Sequence, residues 1–147
     1  MVKRILLISF IIIFLDQLTK IIFTDVHKGI INYAENTGAA FSILTGQTTF
    51  LILTTIIIIS FLIYYLIKNK EYYLPLTFLI AGSLSNLFDR IYFGFVRDFI
   101  DLQIWPIFNI ADSVNVIGAI LLIYLVSKKE SNSSPQKSQP TSSHHHH

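Results

Sequence analysis

Four apolar runs separated by polar segments dominate the pattern of the chain. They cover residues at about 5–23, 49–67, 74–92 and 110–126. As helices rising about 1.5 Å per residue, runs of this length cross the ~30 Å hydrocarbon layer of a bilayer or nearly so. The pattern therefore predicts an all-α membrane protein, a bundle of four transmembrane helices formed by residues 1–129 as one domain.

The polar segment between the first two runs, 24–48, carries the signals of a small β element. Ile30-Ile31-Asn32-Tyr33 contains strand-forming residues, and Asn36-Thr37-Gly38 marks a turn. We expect a short sheet resting on the outer membrane surface. In the second long connection, 93–109, Trp105 and its aromatic neighbours indicate a short helical or irregular segment at the interface.

The composition supports a membrane environment and excludes several classes of function. Of the 147 residues, 52% are hydrophobic and 14% are charged, which is too little charge for a soluble domain of this size. The net charge of +2, with dispersed basic residues, does not indicate nucleic-acid binding. Because Cys is absent, a disulfide framework, a zinc–thiolate site and a cysteine nucleophile are excluded.

The C-terminal segment 130–147 is predicted to be disordered and outside the fold. It is rich in Ser, Pro and Gln, has no apolar face and ends in four His residues, as an affinity tag does. The one other histidine, His27, lies in a polar stretch where a solvated loop residue is expected. Histidine-based triads and zincin motifs are therefore excluded.

Basic residues divide unequally between the two sides of this arrangement. Lys28 and Arg97 lie in the two long connections. Six others flank the opposite side, namely Lys3, Arg4, Lys68, Lys70, Lys128 and Lys129. By the positive-inside rule, both termini and the short connection 68–73 are cytoplasmic, and the two longer segments face outward.

With that orientation, the polar residues of the spans gather at one depth, near the outer boundary. A carboxylate near hydrocarbon costs several kcal/mol when it is ionised, so each one needs a partner or a chemical role. The set comprises Asp16 and Lys20 in the first span, Asn86, Asp89 and Arg90 in the third, Asp98 in the outer connection, and Asn109 and Asp112 at the start of the fourth.

Taken singly, several of these residues have a structural explanation. Asp16 and Lys20, at positions i and i+4, are predicted to form an ion pair on one helix face. Asp89 and Arg90 are both expected to anchor the end of the third span at headgroup level. If Asn109 is the N-cap of the fourth helix, Asp112 takes the N3 position and satisfies a free backbone N–H.

Taken together, the set indicates chemistry. Asp98 and Asp112 are too far apart in sequence for one helix face, but a fold that joins them lets two carboxylates share a proton and activate a water, as in aspartic proteases.

A transport site is the weaker alternative, since such sites usually lie near the midplane between repeats, and no repeat is evident here. Carboxylates and amides also suit a hard cation, but no ligand spacing supports a metal site. Asn86 can alternatively bond across a close helix-packing face.

Five blocks of sequence, in order, run from Phe14 to about Gly118. They are Phe14-Leu15-Asp16-Gln17-Leu18-Thr19-Lys20, Asn36-Thr37-Gly38-Ala39-Ala40-Phe41, Gly82-Ser83-Leu84-Ser85-Asn86-Leu87-Phe88-Asp89-Arg90, Val96-Arg97-Asp98-Phe99-Ile100 and Phe108-Asn109-Ile110-Ala111-Asp112-Ser113. In this order, on four spans, they resemble the lipoprotein signal peptidase (signal peptidase II) family. Any one block alone is a weak pattern, whereas the ordered set is highly specific.

The resemblance implies a membrane aspartic endopeptidase that removes the signal peptide from diacylglyceryl-modified prolipoproteins, cleaving before the lipidated cysteine. It implies Asp98 and Asp112 as the catalytic residues and requires no metal or organic cofactor. The residues expected to bind substrate or support the pair are Asn36, Gly38, Asn86, Arg90 and Asn109. Asp16, Lys20 and Asp89 are expected to be structural.

The same resemblance implies a bacterial cytoplasmic membrane protein with its active site near the outer face. Its expected partners are prolipoprotein substrates and membrane lipids, and we expect a monomer. The alternative function is a small non-enzymatic membrane carrier or a relative that only binds lipopeptides.

Three positions depart from the usual pattern of that family. Glu35 stands where many relatives have Arg, Ser85 where Gly is common, and Arg97 where an apolar residue is usual. We expect Glu35 and Arg97 to affect substrate entry or the electrostatics of the pair, whereas Ser85 should still pack. Because a helix N-terminus favours an anion, Asp112 is the expected base and Asp98 the expected acid.

Overall fold

Four long helices form the frame of the computed structural model, which describes residues 1–38 and 44–133. They are α1 (Val2–Ile22), α2 (Thr48–Lys68), α3 (Tyr73–Phe93) and α4 (Ile110–Ser133). All four apolar runs are thus helical, as predicted, and seven of the eight predicted ends lie within three residues of the observed ones. The Ala39–Phe41 part of the second sequence block lies outside the described residues.

Three of the helices are long and apolar enough to cross a membrane on their own, namely α1, α2 and residues 110–132 of α4. The remaining helix, α3, is also 21 residues long but is less apolar on average than α1 and α2. It packs against each of the other three helices and buries ten of its residues. Most polar residues of α3 therefore lie on its buried face, namely Thr77, Ser85, Asn86 and Asp89, whereas Leu84, Phe88 and Ile91 are exposed.

Small residues set the close approach of α3 to α4. A Cβ atom placed on Gly82 would lie 2.6 Å from the backbone oxygen of Ala111, and one on Gly118 would lie 3.0 Å from that of Pro75. Both glycines thus let one helix backbone lie against the other, as is common between helices that pack in membranes. Ala81, beside Gly82, is fully buried in the same region.

A three-stranded antiparallel sheet in the order β1-β2-β3 confirms the predicted β element. Its strands are β1 (His27–Lys28), β2 (Ile31–Asn36) and β3 (Val96–Ile100). The short irregular segment expected around Trp105 is present at residues 101–109, whereas the strand β3 that precedes it was not predicted. Val96 and Phe99 favour an extended, buried strand, and β2 supplies its hydrogen-bonding partner, with Ala34 opposite Asp98.

The sheet lies at one end of the bundle, which we call the sheet end, with the last turns of α1 and α3 and the first turns of α2 and α4. Gly94 ends α3 in the left-handed conformation (φ 85°) and turns the chain into β3. The hydroxyl of Thr48, at the start of α2, donates to the carbonyl of Gly94 at 3.0 Å. The helices therefore run alternately towards and away from the sheet end.

The opposite end of the bundle holds the short connection between α2 and α3, which contains a 3₁₀ helix at Lys70–Tyr72. Tyr72 joins a buried apolar cluster with Ile59, Leu66 and Leu76. Here α4 continues seven residues beyond its predicted end and Lys129 forms an ion pair with Glu71 at 2.8 Å. The prediction that disorder starts at residue 130 is therefore wrong for residues 130–133, which are helical. The backbone hydrogen bonds of a helix can continue past the last apolar residue, so the end of the apolar run did not mark the end of α4. Residues 134–147 lie outside the described residues.

Candidate active site

A cavity of about 430 Å³ opens at the sheet end and has both predicted catalytic aspartates in its wall. Asp98 lies on β3 and is only 2% exposed, and Asp112 lies in the first turn of α4. We refer to these two residues as the aspartate pair. The fold thus brings together two carboxylates that no single helix or strand could place side by side.

Two amides hold the carboxylate of Asp98. Asn36 lies diagonally across the β2–β3 ladder, on the same face of the sheet, and its Nδ2 donates to Asp98 Oδ2 at 3.0 Å. Asn109 Nδ2 donates to the other oxygen, Oδ1, at 2.6 Å. Both oxygens of Asp98 therefore have a neutral hydrogen-bond donor.

Asp112 is fixed by the start of its own helix. Asn109 is the N-cap of α4: its Oδ1 accepts from the backbone N–H of Asp112 at 2.9 Å, and Asp112 Oδ2 accepts from the backbone N–H of Asn109 at 3.2 Å. This reciprocal capping confirms the predicted N3 position. A third donor, Asn86 Nδ2, reaches Asp112 Oδ1 at 2.8 Å.

Asn86 and Asn109 also connect the two carboxylates to each other. Asn109 Nδ2 lies 3.1 Å from Asn86 Oδ1, so a chain of amides runs from Asp98 through Asn109 and Asn86 to Asp112. Across residues 1–38 and 44–133, no cationic side chain forms an ion pair with either aspartate. The pair therefore has ample hydrogen bonding and no charge partner.

This environment raises the pKa of Asp98 from its usual 3.8 to about 7. Burial is the largest cause, because it disfavours the ionised form, and the charge of Asp112 adds to it. The hydrogen bonds from Asn36 and Asn109 act in the opposite direction and only partly offset these effects. Asp98 is thereby able to hold or release a proton near neutral pH.

A second group of buried charges lies beside the pair, and we call it the charged cluster: Asp16, Lys20, Asp89 and Arg97. The predicted ion pair is present, with Lys20 Nζ 2.7 Å from Asp16 Oδ2, and the same ammonium lies 3.2 Å from Asp89 Oδ2. Arg97 Nη2 lies 2.9 Å from the other oxygen of Asp89. Two acids thus match two cations, and the structure places all four out of solvent.

Gln17 and Ser85 complete the hydrogen bonding of the charged cluster. Gln17 Oε1 accepts from Arg97 at 2.7 Å, and its Nε2 donates to Ser85 Oγ and to Asp89. Ser85 Oγ in turn donates to Asp16 Oδ2 at 2.7 Å. Asp16 Oδ1 accepts the backbone N–H of Ala111, so the cluster also ties α1 to the first turn of α4.

Two of the three departures from the family pattern, Ser85 and Arg97, therefore lie together in the charged cluster. Arg97 does not contact the aspartate pair, because consecutive residues of β3 face opposite sides of the sheet. Its guanidinium also stacks on Phe93, with the centroid 4.3 Å away. Glu35 is exposed on β2 at the wall of the cavity, where an effect on substrate entry stays a prediction.

Lys20 links the charged cluster to the aspartate pair through the amide of Asn86. Its ammonium donates to Asn86 Oδ1 at 2.9 Å, and that amide then presents its Nδ2 to Asp112. A buried cation thus orients the amide that holds one aspartate without itself pairing with the carboxylate. Asp89, expected at headgroup level, is instead fully buried and paired with Lys20 and Arg97. The structural roles of Asp16, Lys20 and Asp89 stay predictions.

Arg90 and Gly38 meet at the cavity as well. Arg90 Nη2 donates to the carbonyl of Gly38 at 2.9 Å, and the backbone N–H of Gly38 donates to Asn36 Oδ1 at 2.9 Å. The second contact directs the Nδ2 of Asn36 towards Asp98. Arg90 Nε is buried and has no hydrogen-bond partner among the described residues.

The rest of the cavity wall is largely apolar, and one polar residue in it was not predicted. Trp105, Pro106, Ile107, Phe108 and Val116 form one side. Asn115, three residues after Asp112, also lines it, and that i+3 spacing was the signal that sequence reasoning overlooked. Gln17 was likewise missed, although it lies between Asp16 and Lys20. No group of three or more His, Asp or Glu side chains in the described part of the chain is suited to hold a metal ion.

Comparison with known proteins gives one consistent result. A family model described as signal peptidase (SPase) II matches residues 8–128. The chain is 41% identical to the lipoprotein signal peptidase of Halothermothrix orenii, over 80% of this chain and 90% of that protein. It is 42% identical to the lipoprotein signal peptidase of Staphylococcus aureus strain JH9, over 84% of this chain and 87% of the relative.

Two solved structures of bacterial membrane enzymes are similar in both fold and sequence. One superimposes with a TM-score of 0.84 at 36% identity, covering 95% of this chain and 96% of that enzyme. The other has a TM-score of 0.77 at 37% identity and covers 87% and 95% of the two chains. The likeness therefore extends over the sheet, the four helices and the cavity between them.

Proposed function

The chain belongs to the signal peptidase II family, and from that membership we propose that it is an aspartic endopeptidase whose acid–base pair is Asp98 and Asp112. It is a bacterial membrane protease that removes signal peptides from prolipoproteins. The observation that carries the aspartic mechanism is the geometry of the pair. Two carboxylates face one cavity, linked through amides and without a cation.

The mechanism requires one aspartate ionised and one protonated. Asp112, at the N-terminus of α4, takes a proton from a water as that water attacks the scissile carbonyl carbon. Asp98, whose pKa of about 7 keeps it protonated up to neutral pH, gives its proton to the carbonyl oxygen. The product of this step is a neutral tetrahedral diol.

Collapse of the diol returns both protons. Asp112 gives its newly acquired proton to the leaving nitrogen as the C–N bond breaks, and Asp98 recovers a proton from one hydroxyl of the diol. The products are a signal peptide with a new carboxyl group and a protein with a free amino group on its first residue. No cofactor enters either step.

The amides and Arg90 position the reacting groups. The two carboxylates are held in place by hydrogen bonds from Asn36, Asn86 and Asn109. Arg90 lines the cavity, and its Nη2 is tied to the carbonyl of Gly38. We assign these five residues to substrate binding or to support of the pair.

The substrate that fits this site is a prolipoprotein carrying a diacylglyceryl group, cut immediately before the lipidated cysteine. One wall of the cavity is apolar and consists of Trp105, Ile107, Phe108 and Val116. Moving the substrate's acyl chains out of the bilayer would cost about 0.8 kcal/mol of free energy for each CH₂ group. Acyl chains that remain beside the helices therefore hold the peptide over the pair. Unlipidated peptide should be cleaved poorly even at high concentration; equal efficiency on both peptides would contradict this assignment.

All four helices span the membrane in our proposal: α3 packs its polar face against the other three helices, and its exposed side chains, such as Leu84, Phe88 and Ile91, face lipid. Both termini are cytoplasmic and the sheet end lies at the outer face of the bacterial cytoplasmic membrane. The basic side chains at the opposite end support this orientation, which cysteine-accessibility labelling tests. Residues 1–129 act as one domain and the protein works as a monomer among membrane lipids.

The deciding experiment separates this proposal from a protein that only binds or carries lipopeptides. Purified protein in detergent is given a lipidated prolipopeptide, and cleavage and binding are measured for the wild type, Asp98→Asn and Asp112→Asn. The proposal predicts cleavage by the wild type alone and retained binding by both variants. An inert wild type that binds as well as the variants would establish the binding-only function.

A further inference from the structure

Asn115 is a polar residue of the cavity that the proposed mechanism does not use. It lies on α4 three residues after Asp112, on the same face of the helix and about one turn further from the sheet end. The residues around it on α4, Val114, Val116 and Ile117, are apolar. An amide at this depth of a membrane helix requires an explanation.

The amide is held in one place by the closest contact between α3 and α4. A Cβ atom added to Gly82 would lie 2.4 Å from Asn115 Oδ1 and 2.8 Å from its Cγ, so only glycine leaves room for this side chain. The oxygen therefore lies flat against the α3 backbone. Because Asn115 also lines the cavity, the Nδ2 end of the amide is the part left to face that space.

Neither end of the amide is satisfied by the protein that the structure describes. Asn115 Oδ1 is buried without a hydrogen-bond partner, and no hydrogen bond from Nδ2 occurs within residues 1–38 and 44–133. Every other amide that holds the aspartate pair is bonded at both ends. Asn115 is thus a free donor beside Asp112 in a mostly apolar wall.

The substrate brings a matching group to this position. A peptide bond must leave the helical conformation to reach the pair, and the carbonyls next to it then lose their intrahelical donors. In a cavity bounded by lipid-facing helices, such carbonyls need a donor from the protein. The residues on the signal-peptide side run deeper into the bilayer than the scissile bond, which is the side on which Asn115 lies.

We propose that Asn115 is a substrate-positioning residue whose Nδ2 donates to a backbone carbonyl on the signal-peptide side of the scissile bond. This inference rests on the proposed function, since it takes the aspartate pair as the centre of cleavage. Asn115 does not touch the reacting atoms, so it acts on binding rather than on the proton transfers.

The test measures binding and turnover separately in Asn115→Leu, which keeps the number of side-chain heavy atoms and the branch at Cγ and removes the donor. Loss of one neutral hydrogen bond predicts a KM for lipidated prolipopeptide on the order of 10-fold higher, with kcat and the pH profile unchanged. Because the variant also removes an unsatisfied buried oxygen, its melting temperature should be equal or higher. Asn132→Leu, the same change near the other end of α4, is the matched control and should leave KM unaltered.

Binding to an inactive background keeps this inference separate from the mechanism. In Asp98→Asn, the Kd for the lipopeptide should rise about 10-fold when Asn115→Leu is added. If Asp98→Asn is inert but Asn115→Leu changes neither Kd nor KM, the proposal for Asn115 fails and the aspartate pair stands. If Asp98→Asn still cleaves, it is the proposed function that fails.

A structural role for Asn115 would give the opposite pattern of results. It predicts a lower melting temperature for Asn115→Leu and for the smaller Asn115→Ala, with KM unchanged in whichever variant folds, and this result would overturn the proposal. Substrates with a backbone ester, a weaker acceptor than an amide, identify the carbonyl. At the correct position the ester raises KM in the wild type and has little effect in Asn115→Leu.

Discussion

Two groups of buried carboxylates lie side by side at the sheet end, and they differ in what surrounds them. In the charged cluster, Asp16 and Asp89 are matched by Lys20 and Arg97. In the aspartate pair, the partners of Asp98 and Asp112 are the amides of Asn36, Asn86 and Asn109. Both groups are well hydrogen-bonded, but only the first has balanced charge.

This difference in charge balance separates a group of residues suited to structural support from a group suited to proton transfer. Buried acids that are paired with cations stay ionised and hold elements together, and removing one partner leaves the other charge uncompensated. Buried acids that meet only neutral donors and each other retain a proton, as the pKa of Asp98 near 7 indicates. The unbalanced group is therefore where proton transfer is available near neutral pH.

The largest effect is expected from removing either acid of the pair. Asp98→Asn and Asp112→Asn should each abolish cleavage of a lipidated prolipopeptide while the protein stays folded, because an amide cannot exchange the proton. Product formation by mass spectrometry and melting in detergent check both parts. Residual turnover above about a tenth of wild type would contradict the assignment, since a 10-fold loss is only ~1.4 kcal/mol.

In the charged cluster, the equivalent change should lower stability instead. Asp89→Asn keeps the shape of the side chain but leaves buried Arg97 without its carboxylate, and we expect a loss of about 3–5 kcal/mol in the free energy of unfolding. Thermal melting in detergent measures it, with Asp101→Asn in the connection after β3 as the matched control. Unchanged melting together with lost cleavage would move Asp89 into the catalytic set.

The pH dependence of cleavage should follow the pair rather than the charged cluster. Asp98 must be protonated to act as the acid, so kcat/KM should fall by about 10-fold per pH unit as the pH rises beyond the pKa of about 7. A rate profile on lipidated peptide measures this limb, and Arg97→Met should not shift it. A rate that stays constant well above neutral pH would contradict Asp98 as the acid.

Arg97→Met, which removes one cation but leaves Lys20 on Asp89, should have the smallest effect. Asp89 keeps its contacts with Lys20 and Gln17, but two buried carboxylates then share one ammonium, so we expect a loss of about 3 kcal/mol in stability, at the lower end of the range for Asp89→Asn, and an unaltered kcat. Thermal melting and steady-state kinetics on the same preparation test the expected stability and the expected kcat. A large fall in kcat without a change in melting would show that the charged cluster acts on the pair directly.

Much of this arrangement is predictable from the chain because it depends on local patterns. Hydropathy locates the helices, and i, i+3 and i+4 spacings place Asp16, Lys20 and the Asn109–Asp112 cap before any fold is known. The resemblance to signal peptidase II then selects Asp98 and Asp112 from the other acids.

The remaining features depend on contacts between distant segments. The strand β3 forms because β2 is available to pair with it, and Asn36 reaches Asp98 across 62 residues of sequence. Because Arg97 is next to Asp98 in sequence, its charge was expected to affect the aspartate pair. Successive side chains of β3 point to opposite faces of the sheet, however, and Arg97 therefore bonds to Asp89. Asn115 stood out only when its neighbours in three dimensions showed that it lacks a partner.

Infrared spectroscopy on protein with isotope-labelled aspartate tests the central claim most directly, because a protonated carboxyl group has its own C=O band. We predict one such band at mildly acidic pH in the wild type. It should disappear as the pH rises through about 7, be absent from Asp98→Asn and persist in Asp89→Asn. A wild type without the band, or a band lost in Asp89→Asn and retained in Asp98→Asn, would contradict the account.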